Sequence, residues 1–342
     1  MFDYLCHLKQ QYKNQYRPYY NNLTTSQKCA YDDACKGFLA QSTKIRISGI
    51  PVSSVAMLFE LIRLDNPWLF FVESISVQYV EGSLKAWIIP VYRMSLREVN
   101  ESLERLWKIG EVFRRRIESK SDLEKELFIH DSLCRHVIYE NSDGFLAHEC
   151  LGPLLYKKGV CEGIAKAVKF LFDMNSMRAI VVRGDAMDPS CPGKPCPHSW
   201  NIVGIESSFY HLDVTFDLTI QAHKMIRYDY YNLSDQEMFV DHSNPRYCVP
   251  TCGESMNYYR QNGLFMKTPK DLKKVIYACI ESSKSDCIFQ LPKLKEFDKV
   301  KTKILELTKE AMLSTGQKNI NLDMNYNEFQ KVFHLHIAYD TR

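Results

Sequence analysis

A thiol, an imidazole and a carboxylate follow one another along this chain. Cys161 stands in Gly159-Val160-Cys161-Glu162-Gly163-Ile164-Ala165, His198 in His198-Ser199-Trp200-Asn201, and Asp213 in Leu212-Asp213-Val214-Thr215. These types suffice for covalent thiol chemistry on an amide carbonyl: a nucleophile, a proton carrier and a group that orients the carrier. A free cysteine has a pKa near ~8.5 and is mostly protonated at neutral pH, so its surroundings must favour the thiolate. Ile164, Ala167, Val168, Leu171 and Phe172 recur three and four residues apart, which predicts one buried stripe of a helix. That helix would open at Cys161, where unpaired N–H groups and the positive end of the dipole favour an anion. Gly159 and Gly163 would let backbone pack closely around the thiol. Taken alone, Cys161 would more often be a buried structural cysteine, one of twelve in the chain.

The elements carrying the other two groups add geometry. Residues 198–206 and 209–217 read as two strands around a short polar turn. If Glu206 and Ser207 form a two-residue turn, His198 lies opposite Thr215, and Asp213 is its diagonal neighbour on the same face. An odd loop length would put the two on opposite faces. The plainer alternative has His198 as a satisfied strand histidine and Asp213 as a turn-capping residue.

The blocks GVCEGIAKA, HSWNIV and FYHLDVTFD resemble the three catalytic blocks of the transglutaminase-like superfamily, and are most similar to its bacterial-type branch. The resemblance implies Cys161 as nucleophile, His198 as base and acid, and Asp213 as the orienting carboxylate. The implied fold is α+β: a papain/transglutaminase-like core, with the nucleophile helix packed on an antiparallel sheet, between N- and C-terminal α+β flanking regions. Ile164, Ser199 and Phe216 replace the tyrosine, alanine and tryptophan usual in that branch, and Leu151 replaces an upstream aromatic. Phe128-Ile129-His130-Asp131, Tyr139, Asn232-Leu233-Ser234-Asp235, Asn257-Tyr258-Tyr259 and Asp65-Asn66-Pro67-Trp68-Leu69-Phe70 extend the resemblance. The expected oxyanion or substrate-binding residues are Cys161, through its own N–H, together with Tyr156 and Trp200.

At 342 residues the chain exceeds a usual single domain, and its 45% hydrophobic content supplies material for cores. A formal charge of +3 gives no case for nucleic acid. Arg114-Arg115-Arg116 lies in a helical pattern with Val99, Leu103, Leu106, Phe113 and Ile117 as its buried stripe, so a solvated face accounts for it. No run approaches the ~18 apolar residues of a membrane helix. The start shows no basic segment followed by an apolar one, so the expectation is a cytoplasmic protein with mostly reduced thiols. A zinc site from Cys191, Cys196, His198, Cys248 and Cys252 is conceivable in composition, but the spacing and the surrounding prolines are poor for it. No dense acidic loop suggests calcium. The expectation is therefore no metal and no cofactor, with a peptide or protein as partner and nothing to set an oligomeric state.

Three regions emerge. Residues 1–120 read as an α+β accessory region with a helical start, a strand over 44–52, a hairpin alternating at Ile75, Val77 and Tyr79, and a helix opened by a Ser95/Glu98 capping box. Residues 121–255 read as the catalytic core, starting at a Ser121/Glu124 capping box and including a buried strand over 179–183. Residues 256–342 carry a strand over 287–291, a helix with Leu294, Phe297, Val300, Ile304, Leu307 and Ala311 on one face closed by Gly316, and a final strand over 333–339. The flanking regions are expected to pack on the core and form one wall of a substrate cleft. Residues 185–197 form an expected restrained loop leading into His198, and Tyr228, Tyr230 and Tyr231 are expected to serve packing. The expected activity is acyl transfer through a thioester, hydrolytic as in a peptidase, amidase or deamidase. The alternatives are transamidation of protein glutamine and a non-catalytic peptide-binding protein on the same fold.

Overall fold

Thr24, Ser95 and Ser121 each accept a backbone N–H three residues on, and the Gln27, Glu98 and Glu124 side chains return the bond, so three helices start where the capping boxes place them. These are α1 (Thr25–Leu39), α3 (Leu96–Ile117) and α4 (Asp122–His136), and α2 (Val55–Asp65) lies between the first two. The computed structural model describes residues 15–140, 144–187, 193–292, 296–315 and 320–339. The helical start expected before residue 15 lies mostly outside them.

In the first region β1 (Ile45–Ser48), β2 (Val72–Tyr79) and β3 (Lys85–Tyr92) form an antiparallel sheet in the order β1-β3-β2. The strand expected over 44–52 stops at Ser48. Gly49 takes φ +83 and Pro51 follows, and neither suits a continuing ladder.

The next stretch builds the site. β4 (Ile138–Tyr139) pairs in parallel with β5 (Lys158–Gly159), which leads into α5 (Cys161–Met174). A five-stranded antiparallel sheet follows in the order β10-β6-β7-β8-β9, from β6 (Arg178–Met187), β7 (Pro195–Ile205), β8 (Ser208–Leu212), β9 (Tyr231–Leu233) and β10 (His242–Ser243). The stripe of α5 packs on β6 and β7. Ile205 pairs with Ser208, so the turn between β7 and β8 is the two-residue Glu206-Ser207 turn, with Glu206 at φ +52. The strand expected over 209–217 is corrected: β8 ends at Leu212, and α6 (Val214–Thr219) begins under an Asp213 cap. An aspartate that accepts the Phe216 N–H stabilises the first helical turn against a further strand.

Residues of the first region and of the stretch that follows it, among them Phe38, Phe70, Leu106 and Leu171, share one hydrophobic cluster. The C-terminal region has its own, around Ile276, Phe289 and Leu335. There β11 (Asp286–Gln290), β12 (Ile320–Asn327) and β13 (Val332–Tyr339) form a sheet in the order β11-β13-β12, packed with α7 (Pro269–Glu281) and α8 (Phe297–Ser314). Leu294 and Gly316, expected in the helix and at its close, lie outside the described residues. Among the described residues no helix is long and apolar enough to cross a membrane.

Candidate active site

Cys161 is the first residue of α5 and is half-buried. Its helix starts in a tight backbone setting. Val160 N–H donates to the Ala147 carbonyl at 3.1 Å, and a Cβ added to Gly163 would lie 2.1 Å from that same oxygen. Gly163 is therefore required by close approach. Buried charge fixes the same turn. Lys166 Nζ lies 2.9 Å from Glu162 and 3.0 Å from Glu149, and Arg63 also pairs with Glu149. Burial alone would raise the Glu162 carboxyl, but Lys166, His148 and Arg183 hold it well below the usual carboxylate range. Sequence reasoning missed this cluster because Lys166 looks like a solvated helix residue until its neighbours bury it.

His198 stands on β7, and its Nε2 bonds Asp213 Oδ2 at 2.7 Å. The other carboxylate oxygen, Oδ1, accepts the Phe216 N–H at 3.1 Å, so Asp213 orients the ring and caps α6 at once. Both residues are buried. Burial would lower the His198 pKa, yet the Asp213 charge, the bond to it and a hydrogen bond with the Cys161 thiol push it up to about 10. Burial would raise the Asp213 carboxyl, but His198 and His242 hold it well below the usual range. With Nε2 committed to Asp213, Nδ1 is the ring nitrogen left to serve the thiol.

A second histidine joins this group. His242 Nε2 lies 3.1 Å from Asp213 Oδ2, and its Nδ1 lies 2.7 Å from Asp241 Oδ1. Asp241 Oδ2 in turn accepts the Tyr230 hydroxyl at 2.6 Å. No spacing in the sequence marks His242; the pairing of β10 with β6, His242 opposite Ala186, brings it in.

The other expected residues separate. Trp200 is buried and donates its indole N–H to His211 Nδ1 at 3.1 Å, so that N–H is not offered to an oxyanion or a substrate. Its ring stacks 6.3 Å from His198 at 15°, as packing behind the imidazole. Tyr156 is 46% exposed and lines a 440 Å³ cavity with Gly159 and Leu146, which places it near the start of α5. Tyr230 and Tyr231 are buried; Tyr228 stacks on Tyr258.

The conceived zinc set is divided. His198 groups with Asp213 and His242, whereas Cys252 groups with His211 and Asp235; Cys191 lies outside the described residues, as does part of the 185–197 loop. Each group could hold an ion by ligand type, as could Asp286, His334 and His336.

No protein-family model matches the chain, and no curated protein matches it in sequence. Among solved structures it is similar to a TGase at 14% identity, with 53% of each chain covered and a TM-score of 0.31. A protein from Cytophaga hutchinsonii proposed to be a cysteine protease shares 14% identity over 42% of this chain and 62% of its own, with a TM-score of 0.28. A protein from Parabacteroides distasonis proposed to be a protease shares 10% identity over 41% of this chain and 35% of its own, with a TM-score of 0.26. The chain thus spans less than two thirds of each of these. Likeness at this level fixes no chemistry for this chain.

Proposed function

We propose that this chain is a transglutaminase-like cysteine enzyme that takes an acyl group from an amide through a thioester on Cys161. The observation that carries the reading is the His198 ring, bound by Asp213 through Nε2 and hydrogen-bonded to the thiol at the first residue of α5. With a pKa near 10 the ring is protonated at neutral pH, and an imidazolium beside a thiol favours the thiolate. The thiolate attacks the carbonyl carbon, and the oxyanion forms beside the Cys161 N–H, which as a first-turn donor has no intrahelical acceptor. His198 Nδ1 gives its proton to the departing nitrogen as the C–N bond breaks, leaving the thioester and a neutral ring. Water then attacks the thioester, His198 takes its proton, and the acid and the thiol are released. An amine in place of water would give transamidation with the same residues. Hydrolysis is the reading preferred here, because water is always available as the acceptor.

The test is a screen of quenched peptides and of glutamine–amine pairs with wild type and Cys161→Ala. Product formed by wild type and absent from the variant is expected. Identical background from both across the panel refutes the reading for those substrates.

A further inference from the structure

Another cavity, of 520 Å³, is lined in part by Tyr139, Thr215 and Phe216 and falls within the size range of small-ligand sites. Two of its walls are tied to the reacting residues. The Phe216 ring sits 4.7 Å from the His198 ring, and Tyr139 pairs with Gly159, two residues ahead of Cys161. Tyr230 meets Phe216 edge-on at 5.0 Å and spends its hydroxyl on Asp241, so it offers the cavity a ring and no donor. The third wall comes from the C-terminal region: Tyr326, near the end of β12, and Phe329, in the turn that follows, are 42% and 43% exposed. Among the described lining residues Glu328 is the one charged group, with Lys331 Nζ held behind it on the Phe329 carbonyl at 3.0 Å and Lys301 4.8 Å over the Tyr326 ring. The cavity beside Tyr156 differs, since both Glu140 and Lys158 line it.

We infer that this pocket receives a large apolar side chain, aromatic or branched aliphatic, carried by a peptide next to the carbonyl that Cys161 attacks. The inference rests on the acyl-transfer reading above for the position of that carbonyl. The C-terminal region then selects substrate, and glycine at that position is disfavoured.

The test uses full-length Cys161→Ala and three fluorophore-labelled tripeptides, Ala-Phe-Ala, Ala-Leu-Ala and Ala-Gly-Ala, with anisotropy as readout. Phe and Leu peptides are expected to bind roughly 10- to 100-fold more tightly than Gly, the worth of burying one such side chain. Phe329→Ala, at an exposed turn, should reduce that preference several-fold, and Thr219→Phe, which narrows the cavity, should remove it. Unchanged melting curves establish that both variants fold. Equal affinities, no binding at millimolar peptide, or a preference that survives both variants overturns the inference. Iodoacetamide labelling of wild type separates the two claims. An apolar preference with an ordinary Cys161 thiol leaves the pocket and sinks the acyl-transfer reading; a fast thiol with no preference does the reverse.

Discussion

Replacing Asp213 by asparagine should disable Cys161 while leaving the fold in place, because the cap decides which way the amide turns. Asp213 Oδ1 must accept the Phe216 N–H, so the amide oxygen is held there and the NH₂ takes the place of Oδ2, facing His198 Nε2 and His242 Nε2. An NH₂ needs an acceptor, which forces the His198 proton onto Nδ1 and leaves no base towards the thiol. The carboxylate is also the main attractive partner behind a rise from 6.5 to about 10, a coupling of at most roughly 5 kcal/mol at about 1.4 kcal/mol per unit. Without it the imidazolium that favours a thiolate beside it is lost, so alkylation at neutral pH should slow roughly 10-fold. Turnover should fall about 10²- to 10⁴-fold. The assay is the iodoacetamide rate at Cys161, read by peptide mass spectrometry from pH 5 to 10. At neutral pH wild type should be alkylated faster than Asp213→Asn. Asp213→Ala loses the cap as well and should be about 1 kcal/mol less stable than Asp213→Asn. Superimposable pH profiles for wild type and Asp213→Asn would refute this account of the site.

Four further outcomes are expected. His198 has a folded pKa above its unfolded value, so its stabilisation is full below about 6.5 and is lost as pH rises through about 10; His198→Gln should flatten the fall in denaturation midpoint over that window. Glu126 is fully buried and pushed up to about 7 by burial, against its bond from Asn232, so folding favours its protonated form; that contribution, at most roughly 3 kcal/mol, is present below about 4.5 and gone above 7, and Glu126→Gln should remove the dependence in urea melts. Gly163→Ala should cost several kcal/mol in urea unfolding or prevent soluble expression, since its methyl group meets the Ala147 carbonyl; a cost under 1 kcal/mol would mean the backbone shifts freely. EDTA should leave Cys161 alkylation unchanged, and a loss restored by zinc would instead make His198, Asp213 and His242 metal ligands.

Much of the site was legible because each signal was local. The stripe from Ile164 to Phe172 marked the helix and its start at Cys161, and a two-residue Glu206-Ser207 turn was one of the two loop lengths weighed between the strands expected over 198–206 and 209–217. The strand continued through Asp217 was an error of the same local kind. Thr215 and Phe216 suit a strand by type, and only the Asp213 cap, together with the packing of Phe216 on His198, turns the chain into a helix. The β12 strand and the α7 helix were not among the expectations, although β12 alternates Ile320, Leu322, Met324 and Tyr326 with Asn321, Asp323, Asn325 and Asn327 and was legible as a strand.

The sequence by itself marked Cys161, His198 and Asp213 as the candidate thiol, imidazole and carboxylate, through a helical stripe, two strand patterns and the resemblance of three blocks. Tertiary structure alone decided what surrounds them. His242 reaches Asp213 across a strand pairing, Lys166 is buried by Glu149 and Glu162, Trp200 turns its N–H away to His211, and the turn after Asn327 closes a pocket beside Phe216. Apart from Glu162 and Lys166, one helical turn apart, these contacts join residues 11 to more than 100 positions apart. Over such distances no periodicity links the partners, and only the packing of sheets and helices brings them together.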